Sequence, residues 1–277
     1  MPTLLIAVFG LIAGSFLTVC VHRLPRGRSL VRPGSRCPAC GHPLGPGENL
    51  PLLSFLWQRG RCRVCATPIG WRYPLLELAT AAAFVWSWQH TGGGAEFVRE
   101  AFFLACLLAL AATDLDCRQL PDELTLGGWA VGLGFAALAA PTRAAAPQPG
   151  WAEAAAASLG GAGLLALVGI VAYRRLRGRE GMGAGDVKMM GLLGAFLGLA
   201  SGYMALLLAS LAGAAAGLLL AGAVFAGRLR RGRGWRRALA STSLYIARGP
   251  IPFGVFLAAG GAAALAWGPR LWLALIG

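Results

Sequence analysis

The chain has 277 residues, 57% of them hydrophobic and only 13% charged. A soluble domain carries roughly twice that charged fraction, which excludes a water-soluble globular protein. The formal net charge of +14 reads as loop arginines that set membrane topology, so the expected surroundings are a lipid bilayer, with no nucleic-acid partner.

Apolar runs of about 20 residues, each long enough to cross a bilayer as a helix, predict an all-α, polytopic integral membrane bundle. About eight spans are expected, near 4–21, 74–90, 97–113, 124–140, 153–173, 187–202, 203–226 and 252–275. Basic residues gather in alternate connections: nine arginines in 22–73, Arg118 after the third span, four arginines and Lys188 in 174–188, and seven arginines in 227–251. By the positive-inside rule these connections face the cytoplasm and both termini face the other side.

The first run, Leu4 to Val21, lacks a basic start, and arginines rather than a small-residue cleavage site follow it. It reads as a retained span, residues 1–21, and not as a cleaved signal peptide. The connection 22–73 carries "CPAC", Cys37 to Cys40, and "CRVC", Cys62 to Cys65, with 21 residues between the pairs. Each C-x-x-C presents two thiolates, and two such pairs complete a closed tetrahedral zinc site. The spacing is one residue beyond the usual zinc-ribbon window. The loop is rich in Pro and Gly, so metal binding would supply the folding energy that its few apolar residues do not. Disulfides are not expected in a reducing cytoplasm. His42 is a rival ligand with poorer spacing. Cys20 and Cys106 lie in apolar runs and read as plain core, and Cys117 lies in a polar loop beside aspartates.

The chain has four aspartates, and all fall in two short motifs: Asp114, Asp116 and Asp122 in "TDLDCRQLPDELT", and Asp186 in "GAGDVK". On the predicted topology both motifs stand at the cytoplasmic ends of spans. Ionisable groups at membrane depth are costly and point to function. Two carboxylates brought together at a partly dry site do not both ionise, so one is an acid while the other is a base, and the pair can activate water and protonate a leaving group. The bland alternatives are a helix cap at Asp186 and a solvated turn at Asp122, after Pro121. Gly183 and Gly185 lack a Cβ, which lets the backbone beside Asp186 turn sharply and lets an extended substrate approach. Lys188, the only lysine, either neutralises Asp186 or snorkels to the interface. Gly10 and Gly14, Gly128 and Gly132, Gly194 and Gly198, and Gly213 and Gly217 form four-residue pairs that suit close helix packing in lipid. Pro141 to Gly150 reads as an outer loop without chemistry.

"GAGDVK" resembles the G-x-G-D motif of intramembrane aspartic proteases, and "DLDCRQLPD" resembles the first aspartate motif of the bacterial prepilin peptidases, or type IV leader peptidases. "GSFLTVCVHRLP", "ENLPLLSFL" and "GRCRVCATPIGWRYPLLEL", with the two C-x-x-C pairs, agree in family order over about residues 10 to 200. Thr18 and His22 depart from the Asn and Tyr usual at those positions. The resemblance implies a bifunctional enzyme. It would cleave the basic leader of type IV prepilins or type II secretion pseudopilins at the cytoplasmic face of the bacterial inner membrane, then methylate the new amino terminus from S-adenosylmethionine. It implies Asp114 and Asp186 as the catalytic pair, with Asp116 a rival to Asp114, and Asp122, Gly183, Gly185 and Lys188 in support. Residues 22–73 would be a zinc-holding loop associated with methyl transfer, and residues 74–277 the peptidase core. The sequence carries no glycine-rich fingerprint for the methyl donor. Two other readings fit the sequence less well: a proton-coupled transporter, for which Glu77, just inside the second span, is the candidate residue, and a membrane-anchored zinc module that binds a partner.

Overall fold

The computed structural model describes residues 1–138, 149–178, 181–232, 234–237, 239, 241–242 and 252–276. The expected outer loop from Pro141 lies almost wholly outside the described residues, as do Glu180 and part of the basic connection 227–251. Among the described residues the architecture is all-α without strands; two isolated bridges, Arg36 with Pro43 and Arg61 with Pro68, are its only β pairing.

Helix α1 (Pro2–Arg23) has Pro2 at its first position, where the missing N–H costs nothing. It lies against α3 (Arg72–Thr91). The two backbones approach so closely that a Cβ on Gly10 or Gly14 would sit 2.6 Å from the Cα of Ala81 or Glu77. Only glycine fits there, and without a hydrophobic drive between helices in lipid such packing does the holding. Leu5, Phe9, Ile12 and Phe16 recur at helical spacing on the exposed side of α1, as a lipid-facing surface requires. Between these helices a short α2 (Leu53–Trp57) belongs to the cysteine loop.

The remaining helices are α4 (Gly94–Cys117), α5 (Asp122–Leu138), α6 (Trp151–Leu165), α7 (Tyr173–Arg177), α8 (Ala184–Arg230) and α9 (Phe253–Ile276). A π-helical segment, Ala166–Ala172, joins α6 to α7. The main core forms where α4, α8 and α9 meet. Leu107, Leu110, Met189, Leu192, Leu193, Phe196 and Leu257 are all buried there, and the rings of Phe103 and Phe196 stack at 4.8 Å. Three described helical stretches are long and apolar enough to cross a membrane: Pro2–Arg26, Trp151–Leu176 and Ala184–Arg230.

The last of these is not one rod. Gly198 has φ 72° and ψ −169° inside α8, a conformation open essentially to glycine alone. Beyond it the chain folds back: a Cβ on Gly202 would lie 3.6 Å from the Cα of Gly194, whereas eight residues of straight helix span about 12 Å. Residues 184–197 and 199–230 thus form a helical hairpin. The sequence reading split this region between residues 202 and 203; the break lies four residues earlier, at the glycine whose backbone takes the turn.

Candidate functional site

Asp114 occupies the last turn of α4, and Asp186 is the third residue of α8. Both line one cavity of about 1020 Å³ at the end of the bundle, together with Leu24 and Pro25 beyond α1, the Arg118–Glu123 turn, and Gly213 and Phe253 from α8 and α9. The structure therefore brings together two carboxylates that stand 72 positions apart in the chain.

Asp114 is buried because it continues the inward stripe of Phe103, Leu107 and Leu110 at helical spacing. Its Oδ2 accepts the Val255 N–H at 3.1 Å. That N–H is one of the donors left free in the first turn of α9, and the positive end of the helix faces the carboxylate. Gly254 makes the approach possible, since a Cβ there would stand 2.9 Å from Asp114 Oδ2. The sequence reading missed this part of the site: the third helix end that orients Asp114 comes from "PFGV", where a proline and a glycine at a helix start were the available signal.

Gly183 is the cap of α8, with extended φ and ψ of −72° and 145°, and the Asp186 N–H reaches back to its carbonyl at 3.1 Å. Asp186 is thus not the N-cap that the bland reading allowed; it stands inside the first turn. Gly183 and Gly185 both line the cavity, and at Gly185 a Cβ would press to 3.0 Å on Leu120.

The other predicted residues divide. Asp116 pairs with Arg72 at the foot of α3 and is not among the cavity lining. Lys188 lines the cavity but donates to Asp122 Oδ1 at 2.6 Å, tying the start of α5 to α8. Its partner is Asp122 and not Asp186. Cys117 lies at the end of α4, where its thiol meets the Thr113 carbonyl at 3.3 Å, so it is helical and not in a loop. Cys20 and Cys106 are buried core. Glu77 accepts the Leu52 N–H at 2.9 Å and anchors the cysteine loop to α3.

In that loop Cys37, Cys40, Cys62 and Cys65 place their sulfurs within 4.8 Å of one another. The Cys37 and Cys65 sulfurs are 3.7 Å apart, close to the edge of about 3.8 Å of a tetrahedron with metal–sulfur bonds of about 2.3 Å. Each pair sits on the same small knuckle. The N–H of Cys37 bonds to His42 and that of Cys62 to Thr67, both at 2.9 Å, and the residue four on, Gly41 or Ala66, has positive φ. Hydrogen bonding to the Thr67 hydroxyl and backbone pulls the Cys65 thiol down to about 6, while the Cys40 thiol is pushed up to about 11, so it is the sulfur geometry that makes the case for a metal. The four cysteines can hold a metal ion. His42 is not one of the four ligands; its Nε2 faces Glu48 Oε2 at 3.2 Å. The Gly45 N–H and then His42 hold the Glu48 carboxyl below the usual carboxylate range. Glu48 also lines a second cavity of about 710 Å³ with Trp57, Gln58, Arg61, Cys62 and Arg63, while its Oε1 is buried without a hydrogen-bond partner.

Residues 8–91 match the Bacterial Peptidase A24 N-terminal domain, and residues 101–218 match the Type IV leader peptidase family. The chain is 38% identical, over an alignment 302 positions long, to the prepilin leader peptidase/N-methyltransferase of Burkholderia pseudomallei (strain 1026b), covering 98% of this chain and 87% of that protein. It is 37% identical to the protein of the same name from Aeromonas hydrophila, covering 96% and 91%. With that from Pseudomonas aeruginosa it shares 34% identity, covering 95% and 90%. No solved structure matches.

Proposed function

Because the chain belongs to the type IV leader peptidase family, we propose that Asp114 and Asp186 are the acid–base pair with which it cuts prepilins. It is a membrane enzyme, a prepilin leader peptidase of the kind that also methylates its product. The observation that carries the residue assignment is the shared cavity: these two carboxylates line it and Asp116 does not. One carboxylate takes a proton from water while the other gives one to the departing amine, and then the roles reverse. The Val255 N–H orients Asp114 for this work. A substrate whose cleavage site borders its own apolar helix reaches such a pair only at a membrane edge.

The finer reading follows the basic connections. The ends of α1 and α4 and the starts of α5, α8 and α9 all meet at the cavity, on the side where the positive-inside rule puts the cytoplasm. The site then opens on the cytoplasmic face of a bacterial inner membrane crossed by about eight spans, and the substrates include type IV prepilins and type II secretion pseudopilins. Residues 1–21 form the first span, 22–73 the metal-holding loop, and 74–277 the peptidase core. Carboxylates gathered at one cavity mouth, in a chain of this family, give the transporter reading no support.

Zinc at the four cysteines is structural, since the acid–base pair needs no metal. S-adenosylmethionine supplies an electrophilic methyl group when bound. The cavity beside the cysteines fits it: Trp57 offers a face for a purine, Arg61 and Arg63 offer cations for a carboxylate, and Glu48, with an oxygen that lacks a donor, offers an acceptor.

Incubation of the purified protein with a prepilin-type peptide tests the reading. Cleavage should persist under moderate chelation and vanish in Asp114→Asn and Asp186→Asn. Cleavage that stops on chelation and returns with metal would oppose it.

A further inference from the structure

We propose that Arg99 and Glu153 are positioning residues of the peptidase: they clamp the broken helix α8 at Gly198 and thereby hold Asp186 in register with Asp114. The inference rests on the aspartate-pair reading above. It starts from a cost. A helix broken inside a bundle leaves carbonyls without partners at the end of its first half and N–H groups without partners at the start of its second. Where they are buried such groups are expensive, and the Arg99–Phe196 side of the break is buried while Leu199 is exposed.

Two charged residues from other helices meet this break. Arg99, near the start of α4, is only 6% exposed, and its Nη1 donates to the Phe196 carbonyl at 2.7 Å. Glu153, in the first turn of α6, accepts the Leu199 N–H with its Oε1 at 3.3 Å. The signs suit the ends they meet: a cation stands at the negative end of the first half-helix and an anion at the positive end of the second. Gly198 is closed in between them, since a Cβ there would lie 2.6 Å from Glu153 Oε1.

The clamp acts on the site through helix α4. Arg99 and Asp114 share that helix, and Phe196 and Asp186 share the first half of α8. The two rods meet through side chains, with the Phe103 ring stacked on that of Phe196 at 4.8 Å. Each bears its aspartate at the cavity end, and the Arg99 bond ties them at the far end. Sliding or rotating residues 184–197 would break that bond and carry Asp186 away from Asp114. A buried charge is retained only where something is paired with it; for Arg99 the hydrogen-bond partner is the Phe196 carbonyl, with the charges of Glu100 and Glu96 nearby.

The test compares Arg99→Met with Arg99→Lys, and Glu153→Ala with Glu153→Gln, in the full-length protein in detergent. Steady-state cleavage of a prepilin-type peptide is read beside amide exchange across residues 186–199. Misplacement of a catalytic group by about 1 Å costs up to about 100-fold. Arg99→Met should therefore lower kcat by about 10- to 100-fold with KM nearly unchanged, which marks lost alignment and not lost binding. Glu153→Ala should do so by about threefold to tenfold, and both should speed exchange. Lys and Gln, which keep a donor and an acceptor, should recover most of the loss. Glu153 is exposed, so its variants decide the matter if Arg99→Met does not fold. A kcat that falls only with the folded fraction, or that stays put while exchange speeds, overturns the inference. Asp114→Asn and Asp186→Asn run alongside. If they are inactive and the clamp variants are normal, the clamp alone fails; if they are active, the aspartate-pair reading fails and takes the clamp with it.

Discussion

Asp114 and Asp116 are two positions apart on one helix, about 200° of rotation, and this separates their surroundings. Asp114 follows the buried stripe into the cavity, and Asp116 turns away to Arg72. The Asp116→Asn variant should keep cleavage within roughly a factor of five, the effect of about 1 kcal/mol. Asp114→Asn should lose several orders of magnitude in kcat at unchanged folding. An inactive Asp116→Asn beside an active Asp114→Asn would reverse the assignment. That the aspartates gather at one end of the spans was legible from their rarity and placement. Which of the first two faces inward was not read, although the phase was present: Phe103, Leu107, Leu110 and Asp114 repeat at steps of three and four. The Val255 N–H on Asp114 was beyond reach, because no local pattern announces a contact across 141 positions.

At the scale of elements the helices themselves were readable, since long apolar runs admit little else in a membrane. The break in α8 was harder to place. Gly194, Gly198 and Gly202 are all candidates by residue type, and only the fold shows that Gly198 takes the positive φ while the other two press together. Gly198→Ala should therefore destabilise the protein by at least about 1–3 kcal/mol, seen as a lower midpoint of thermal unfolding in detergent. Gly163→Ala, where a Cβ meets nothing within 4 Å, should change little. Equal midpoints for the two variants would contradict the hairpin. The cysteine loop was legible as a metal site from spacing alone. Its sulfur geometry leads to an expected one zinc per chain by elemental analysis, and Cys62→Ser should lose the metal and expose the loop to protease. A full complement of zinc in Cys62→Ser would count against the site.

At the scale of the whole molecule, a cysteine loop and a pair of aspartates stand on one bundle. The cysteine loop hangs between α1 and α3, with Glu77 holding Leu52 at its base, while the aspartates close the end of α4 and open α8. Alternating arginines made the common side of these parts legible. The cavity between the helix ends was not, because it is made by tertiary packing of α1, α4, α5, α8 and α9. The separation predicts that the two activities come apart. The measurement that tests this most directly is the intact mass of a prepilin co-expressed with each variant. With the unaltered enzyme the prepilin should lose its leader and gain a methyl group. With Cys62→Ser it should lose the leader and gain no methyl group. With Asp186→Asn it should keep its whole leader. A prepilin that still loses its leader in the presence of Asp186→Asn would contradict the aspartate-pair account.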